Sequence, residues 1–140
     1  VATVLSASFC AVASDASTRG FAGVTRRGVP HPRAFGCFPR VFRRFVRARK
    51  ILSNEEAVRR MTSLPAALFN LRGRGSIAEH AYADLVVFDP QKIGDRATYE
   101  QPYVAAEGIT HVFVNGSPVM YDGNMTQERP GRVLRAGGTA

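Results

Sequence analysis

Three hydrophobic patterns succeed one another along the chain. The run Ser8-Phe9-Cys10-Ala11-Val12-Ala13 is short, continuously apolar, and stops at Ser14-Asp15. Unbroken rather than alternating apolarity is how a strand covered on both faces reads, as in a parallel sheet flanked by helices, and it predicts a strand over 9–14. Residues 16–39 carry Gly20, Gly23, Gly28, Pro30, Pro32, Gly36 and Pro39 with no period, so they read as one long loop. Loops of that length inside compact domains are functional or disordered. From Arg40 to Lys50 a helix is expected, with Val41, Phe42, Phe45 and Val46 forming one apolar stripe between arginines. Ser53-Asn54-Glu55-Glu56 is a capping box that opens a helix over 53–62, along which Ala57, Val58 and Met61 fall at helical spacing. Pro65 then suits the first turn of a short helix, 65–70.

Past Gly75 the period changes. Residues 84–90 (DLVVFDP) predict a strand closed by a turn. Residues 110–114 and 118–121 flank Asn115-Gly116, a pair that tolerates positive φ and so predicts a hairpin. Asp122-Gly123 marks another turn, and 129–135 offers one short strand. The chain divides into a strand, loop and helices over 1–72 and a β-rich part over 73–140. An isolated buried strand at 9–14 has no sequence-near partner, so it calls for a sheet that this chain does not supply.

Charge changes the picture next. The formal net charge is +8, and no acidic residue lies between Asp15 and Glu55, where nine arginines and Lys50 fall. Such a block suits nucleic acid, an anionic surface or an acidic substrate, and equally a solvated face or a surface that meets the rest of a larger protein. Its phenylalanines at 42 and 45 sit at core spacing rather than as stacking platforms, and no zinc-finger, helix-turn-helix or RNP pattern accompanies them. No specific nucleic-acid partner is expected. The two cysteines, Cys10 and Cys37, form neither a disulfide framework nor a metal pair. Both read as free thiols, in keeping with a reducing compartment, and the expected location is cytoplasmic. Val1–Ala13 imitates a signal peptide ending in A-x-A, but no basic n-region precedes it, and a membrane helix needs about 20 apolar residues. No membrane association is expected.

The residues resemble a known family at several points in order. Residues 55–66 (EEAVRRMTSLPA), 83–90 (ADLVVFDP) and 112–116 (VFVNG) are similar to the C-terminal end of the amidohydrolase superfamily. Ala13-Ser14-Asp15, His31-Pro32-Arg33, Phe38-Pro39-Arg40-Val41, Asp95-Arg96-Ala97-Thr98-Tyr99 and residues 129–135 (RPGRVLR) resemble its N-acyl-D-amino-acid deacylase branch. The resemblance implies an α/β fold: the last strand (9–14) and closing helices of a (β/α)8 barrel, followed by strands of a small β-sandwich. It implies a zinc-dependent hydrolase of N-acyl-D-amino acids, with Asp15 as the strand-end aspartate that moves a proton in catalysis. His31 and Arg33 would overhang the barrel mouth and bind substrate, Arg33 by a two-pronged grip on a carboxylate.

The resemblance also has gaps. The family holds its metal with histidines, including an H-x-H pair on the first strand, whereas His31, His80 and His111 are far apart and in no ligand spacing. No metal ligand is therefore assigned; the zinc ligands and the other barrel strands are expected upstream, in a missing N-terminal portion that would be this chain's partner. By itself the chain is expected to be inactive. His80 falls where the family favours a turn glycine, so that turn is expected to be strained. A dihydroorotase- or hydantoinase-like activity, and a basic binding module built on residues 26–50, remain the alternatives.

Overall fold

The structure is a computed structural model that describes residues 1–137. It is an α/β chain with a helical part followed by a small antiparallel sheet. The helices are α1 (Ala2–Ser6), α2 (Arg33–Arg40), a π-helical segment (Val41–Ala48), α3 (Asn54–Met61) and α4 (Ser63–Leu68), with a single 3-10 turn at Gly23–Thr25. The strands are β1 (Leu85–Phe88), β2 (Ile109–Val114), β3 (Ser117–Tyr121) and β4 (Asn124–Met125), hydrogen-bonded in the order β1-β2-β3-β4.

The apolar run 9–14 is not a strand here. It belongs to no ladder, and its ties to the helices are the Val12 N–H donating to the Arg60 carbonyl at 3.1 Å and the Cys37 thiol donating to the Ala13 carbonyl. A strand exists only through its neighbours, and none of the described strands lies beside this segment. Nor is 1–14 one continuous helix, because α1 stops at Ser6. The residues just before the apolar run are strapped to α3 by buried Arg60, whose Nη1 donates to the Leu5 carbonyl (2.6 Å), and by Arg59, whose Nη2 donates to the Ser8 carbonyl (2.6 Å).

The long loop also ends earlier than expected, since 33–40 is helical. Pro32 at the helix start lacks the N–H that would need a partner, which suits it to that place. Pro39 lies inside α2, and from Val41 the backbone widens into π-helix, seen in the Arg49 N–H reaching the Arg44 carbonyl at 3.0 Å. Proline removes one i to i−4 bond, and bulges of this kind accommodate such breaks. The expected helix over 40–50 is thus present with a wider pitch, and its stripe is buried as expected at Val41, Phe42 and Phe45. These residues, with Leu52, Ala57 and Ile93, form the core.

Ser53 caps α3 by accepting the Glu56 N–H at 3.1 Å. The reciprocal half of the expected capping box is absent, because the Glu56 carboxylate accepts from Arg59 and Arg60 instead, at 2.6 to 2.8 Å. Hydrogen bonds from Arg59 and then Arg60 hold the Glu56 carboxyl down to about 2. Helix α4 spans 63–68 rather than 65–70, with Pro65 in its first turn. In the sheet, the Asn115-Gly116 hairpin forms with φ of 48° and 84°, and Asp122-Gly123 turns the same way at 47° and 76° into β4. The short strand expected over 129–135 does not form. His80 does adopt φ 62°, the left-handed conformation that its family position implied.

Two contacts fix the connection between β1 and β2. Asp95, on the arm that follows β1, accepts from Arg40 Nη1 (2.8 Å) and Arg43 Nε (2.6 Å). Gly108, just before β2, packs its Cα face directly on the backbone of Lys92 and Ile93.

Candidate functional site

Asp15 lies beside Arg33, which begins α2 two residues after His31. Asp15 follows the apolar run and holds φ 49°, a conformation that ordinary L residues avoid and that tends to occur where function fixes it. Its Oδ2 pairs with Arg33 Nη2 at 2.9 Å. The carboxylate is 85% exposed and the guanidinium 44%, so the pair is open to solvent and its energy modest. Arg33 begins α2, where Pro32 offers no side-chain cap. The cap comes from one residue earlier: His31 Nδ1 accepts the Arg33 N–H at 3.0 Å. The other ring nitrogen, Nε2, lies 2.9 Å from the Tyr99 hydroxyl, with the two rings edge to face at 5.0 Å between centroids.

His31, Arg33 and Tyr99 line a groove of about 1070 Å3, walled on one side by Val4, Leu5 and Val12. Asp15 does not line it. Cys37, behind Arg33, has its thiol pushed up by burial, against the opposing influence of the Arg33 charge, and its Sγ donates to the Ala13 carbonyl at 3.5 Å.

The arm that positions these groups carries a family motif at 95–99, to which the sequence attached no role. Residues 95–103 brace the site from the side. Asp95 anchors the arm on Arg40 and Arg43. The hydrogen bonds from those arginines outweigh its burial, and its carboxyl lies below the usual range. Thr98 and Gln101 close a turn, with Thr98 N–H donating to the Gln101 carbonyl (3.1 Å) and Gln101 N–H to Thr98 Oγ1 (3.0 Å). Tyr99 stands within that turn. Tyr103 donates to the Arg27 or Gly28 carbonyl (2.9 and 3.1 Å), with Arg26 over its ring at 4.6 Å, pinning the glycine-rich loop. The signal that could have found them was the spacing of two tyrosines along an otherwise polar connection.

Part of the basic block is taken up by contacts inside the protein. Arg40 and Arg43 hold Asp95, and Arg47 donates to the carbonyls of Pro90 (2.9 Å) and Ile93 (2.6 Å). The described residues do not fit a metal site: no group of three or more His, Cys, Asp and Glu side chains is placed to hold an ion. His31 has both nitrogens engaged, and His111 accepts the Asp122 N–H at Nδ1 (3.2 Å). Among the described residues no helix is long and apolar enough to cross a membrane.

Residues 26–120 match the amidohydrolase family, and the chain belongs to it. It is 45% identical over 126 residues to the N-acyl-D-glutamate deacylase of Alcaligenes xylosoxydans xylosoxydans, covering 90% of this chain and 24% of that protein. It is 48% identical over 105 residues to the D-aminoacylase of the same organism, covering 75% and 22%. Among solved structures, the N-acyl-D-glutamate deacylase of Bordetella bronchiseptica, complexed with zinc and a phosphonate mimic of the tetrahedral intermediate, superimposes with a TM-score of 0.83 at 41% identity, over 96% of this chain and 27% of that one. A D-aminoacylase studied for its binuclear metal centre gives 0.85 at 40% identity, over the same shares of each chain. The chain spans about a quarter of the length of the curated relatives it matches.

Proposed function

We propose that this chain is the C-terminal part of a zinc-dependent N-acyl-D-amino-acid deacylase, contributing its proton-transfer aspartate and its carboxylate-binding arginine. In this reading residues 1–72 complete the barrel, with 9–14 as its eighth strand, and 73–140 belong to the composite β-sandwich. The likeness to several deacylases over nearly the whole chain supports it. The observation that carries it is the 2.9 Å pairing of Asp15 with Arg33. In an N-acyl amino acid the carboxylate and the scissile nitrogen sit on one Cα, so a cation beside a base addresses both at once.

Substrate carboxylate would exchange for Asp15 on the Arg33 guanidinium, leaving Asp15 to accept a proton. Asp15 takes that proton from the water whose oxygen attacks the acyl carbonyl, and returns it to the amine nitrogen as the C–N bond breaks. The residues described here do not fit the metal the reading calls for, so its ligands are assigned to the portion upstream, and no step of this chain is routed through it.

The test uses two proteins. The 140-residue chain alone should hold no stoichiometric zinc and hydrolyse no N-acyl-D-amino acid. A chain extended upstream through an H-x-H strand should do both, and there Asp15→Asn should lower kcat by about 10²- to 10⁴-fold with little change in zinc content. Zinc-dependent turnover by the short chain would refute the division of labour. Near-normal kcat in the extended Asp15→Asn enzyme would make the aspartate structural.

A further inference from the structure

We infer that the loop between Asp15 and Arg33 is a lid that closes over an anionic substrate, held open by a latch on Tyr103. Its two ends are the residues that the proposed reaction uses, and they meet at 2.9 Å, so the loop starts and finishes at the site. Its middle is stitched together by its own groups. Arg19 Nη1 donates to the Arg27 carbonyl (2.7 Å), Arg27 Nε to the Val24 carbonyl (2.7 Å) and the Arg26 N–H to the Gly23 carbonyl (3.1 Å). A loop whose ends meet and whose side chains pack on its own backbone moves as one body.

That body is moored to the rest of the molecule through one row of rings. Phe21 rests on Phe35 of α2 with 4.7 Å between centroids, and Phe35 on Tyr103 at 5.4 Å. The Tyr103 hydroxyl donates to the Arg27 or Gly28 carbonyl, and its ring carries the Arg26 guanidinium at 4.6 Å. Tyr103 is a firm post, because buried Pro102 and the Thr98–Gln101 turn precede it. The latch on it is weak. One net hydrogen bond shifts an equilibrium by about 2- to 10-fold, and one exposed cation–π contact by about 2- to 5-fold. With the latch made, the Asp15–Arg33 pair stands open to solvent. Gly28, at φ 55° with open space where a Cβ would point, gives the loop a joint beside the latch. The charge supplies the reason to close. Arg19, Arg26 and Arg27 pair with no carboxylate among the described residues, and stacking on Tyr103 occupies only the face of the Arg26 guanidinium, leaving its edge donors for an anion. A substrate carboxylate at the site draws Arg26 off the ring, and the lid closes at the cost of the latch.

The test is made in the full-length enzyme, and its kinetic part rests on the proposed deacylase reading. Tyr103→Phe removes the hydroxyl and keeps the ring, so the packing on Phe35 survives; Tyr103→Leu removes both halves of the latch. Because substrate must break the latch to close the lid, KM for an N-acyl-D-amino acid should fall as the latch weakens. The fall should be about 2- to 10-fold in Tyr103→Phe and larger in Tyr103→Leu, with kcat nearly unchanged. A tyrosine that only supported the fold would give the opposite sign. In the Tyr103→Leu background, where no latch remains, Arg26→Gln should raise KM about 10-fold, the weight of a charge-assisted hydrogen bond. Trypsin reads the latch without turnover, since Arg26 and Arg27 lie on the exposed loop. Nicking after them should be about 2- to 10-fold faster in Tyr103→Phe than in the wild type, following the unlatched population. An unchanged or higher KM in Tyr103→Phe would overturn the lid, and so would unchanged nicking. An Arg26→Gln change without effect in the Tyr103→Leu background would remove Arg26 as the closing cation. Faster nicking in an enzyme that leaves N-acyl-D-amino acids intact would sink the deacylase reading alone, with the latch upheld.

Discussion

Two apolar runs in this chain have opposite fates. Residues 109–114 become β2, while 9–14, which is just as apolar, stays outside any sheet. The difference lies in where each finds partners. β2 pairs with β3 across the Asn115-Gly116 turn, and with β1 across some twenty residues, so its ladder is closed by nearby chain. The 9–14 segment has the composition of a parallel strand, and parallel strands need partners delivered by long crossovers. What it obtains instead is one main-chain bond to Arg60 and a thiol contact from Cys37, while two arginines of α3 strap the residues just before it. A sheet built from hairpins can assemble from local sequence; a barrel strand is completed by distant chain.

The strongest way to test that comparison is to displace the connection between β1 and β2, whose Ile93 packs in the helical core. Gly108 is the tight point of that connection: a Cβ there would lie 2.3 Å from the Ile93 nitrogen, and its φ of +79° is unfavourable for any other residue. Both effects act on main chain, which cannot swing aside. Gly108→Ala should therefore destabilise by at least about 3 kcal/mol, from left-handed strain and overpacking together. If the sheet is locally sufficient, the cross-strand NOEs of 109–121 should persist in the mutant while amides 93–99 lose exchange protection. Simultaneous loss of both would show that the hairpins depend on the helical part after all.

The same contrast explains how much could be read in advance. The Asn115-Gly116 hairpin, the Ser53 cap and the buried Val41–Phe42–Phe45 stripe were legible, because each is set by neighbours within a few residues, and the left-handed turn at His80 was implied by the family resemblance. The π-helical widening was not, since Pro39 announces a break but not how the backbone repairs it. Glu56 looked like the returning half of a capping box, yet two arginines on the same helix outcompeted a backbone amide. At the site, Asp15, His31 and Arg33 carried family motifs and could be named from them. Tyr99, Tyr103 and Asp95 could not be given roles, because those depend on contacts 52 to 76 residues away in sequence.

Asp95 gives a smaller and more selective break. It is buried, while Arg40 and Arg43 remain 44% and 50% exposed, so the loss falls short of that for a fully buried pair. Asp95→Asn should destabilise by about 1–2 kcal/mol at neutral pH. The sign with pH follows from a carboxyl held below its usual range, where arginine hydrogen bonds outweigh burial. Its contribution is complete above the unfolded value of about 3.9 and fades as pH falls through the lower folded value. Urea unfolding at stepped pH should show wild type and Asp95→Asn converging below about pH 4, with the difference constant above about pH 5. A difference that persists unchanged into stronger acid would mean that Asp95 acts by packing against Gly36 and not by charge.

The smallest expected effect lies on the connection between the two parts, and its sign is opposite. His80 holds φ 62° between Gly75 and β1, on a turn where the Ala81 N–H reaches the Ala78 carbonyl at 3.2 Å. An L residue in the left-handed region costs about 1–2 kcal/mol, which glycine does not incur. Glycine gives back part of that, about 0.5–1 kcal/mol, through the extra freedom of its unfolded chain. His80→Gly should therefore stabilise the protein by about 0.5–1 kcal/mol, the balance of those two terms. Denaturant melts at fixed pH should show the midpoint rising with no change in slope, since the substitution relieves a local conformation and exposes no new surface on unfolding. A fall in stability would mean that the imidazole makes a contact worth more than the strain it imposes, and His80→Ala would then fall further still, losing that contact while keeping the strain.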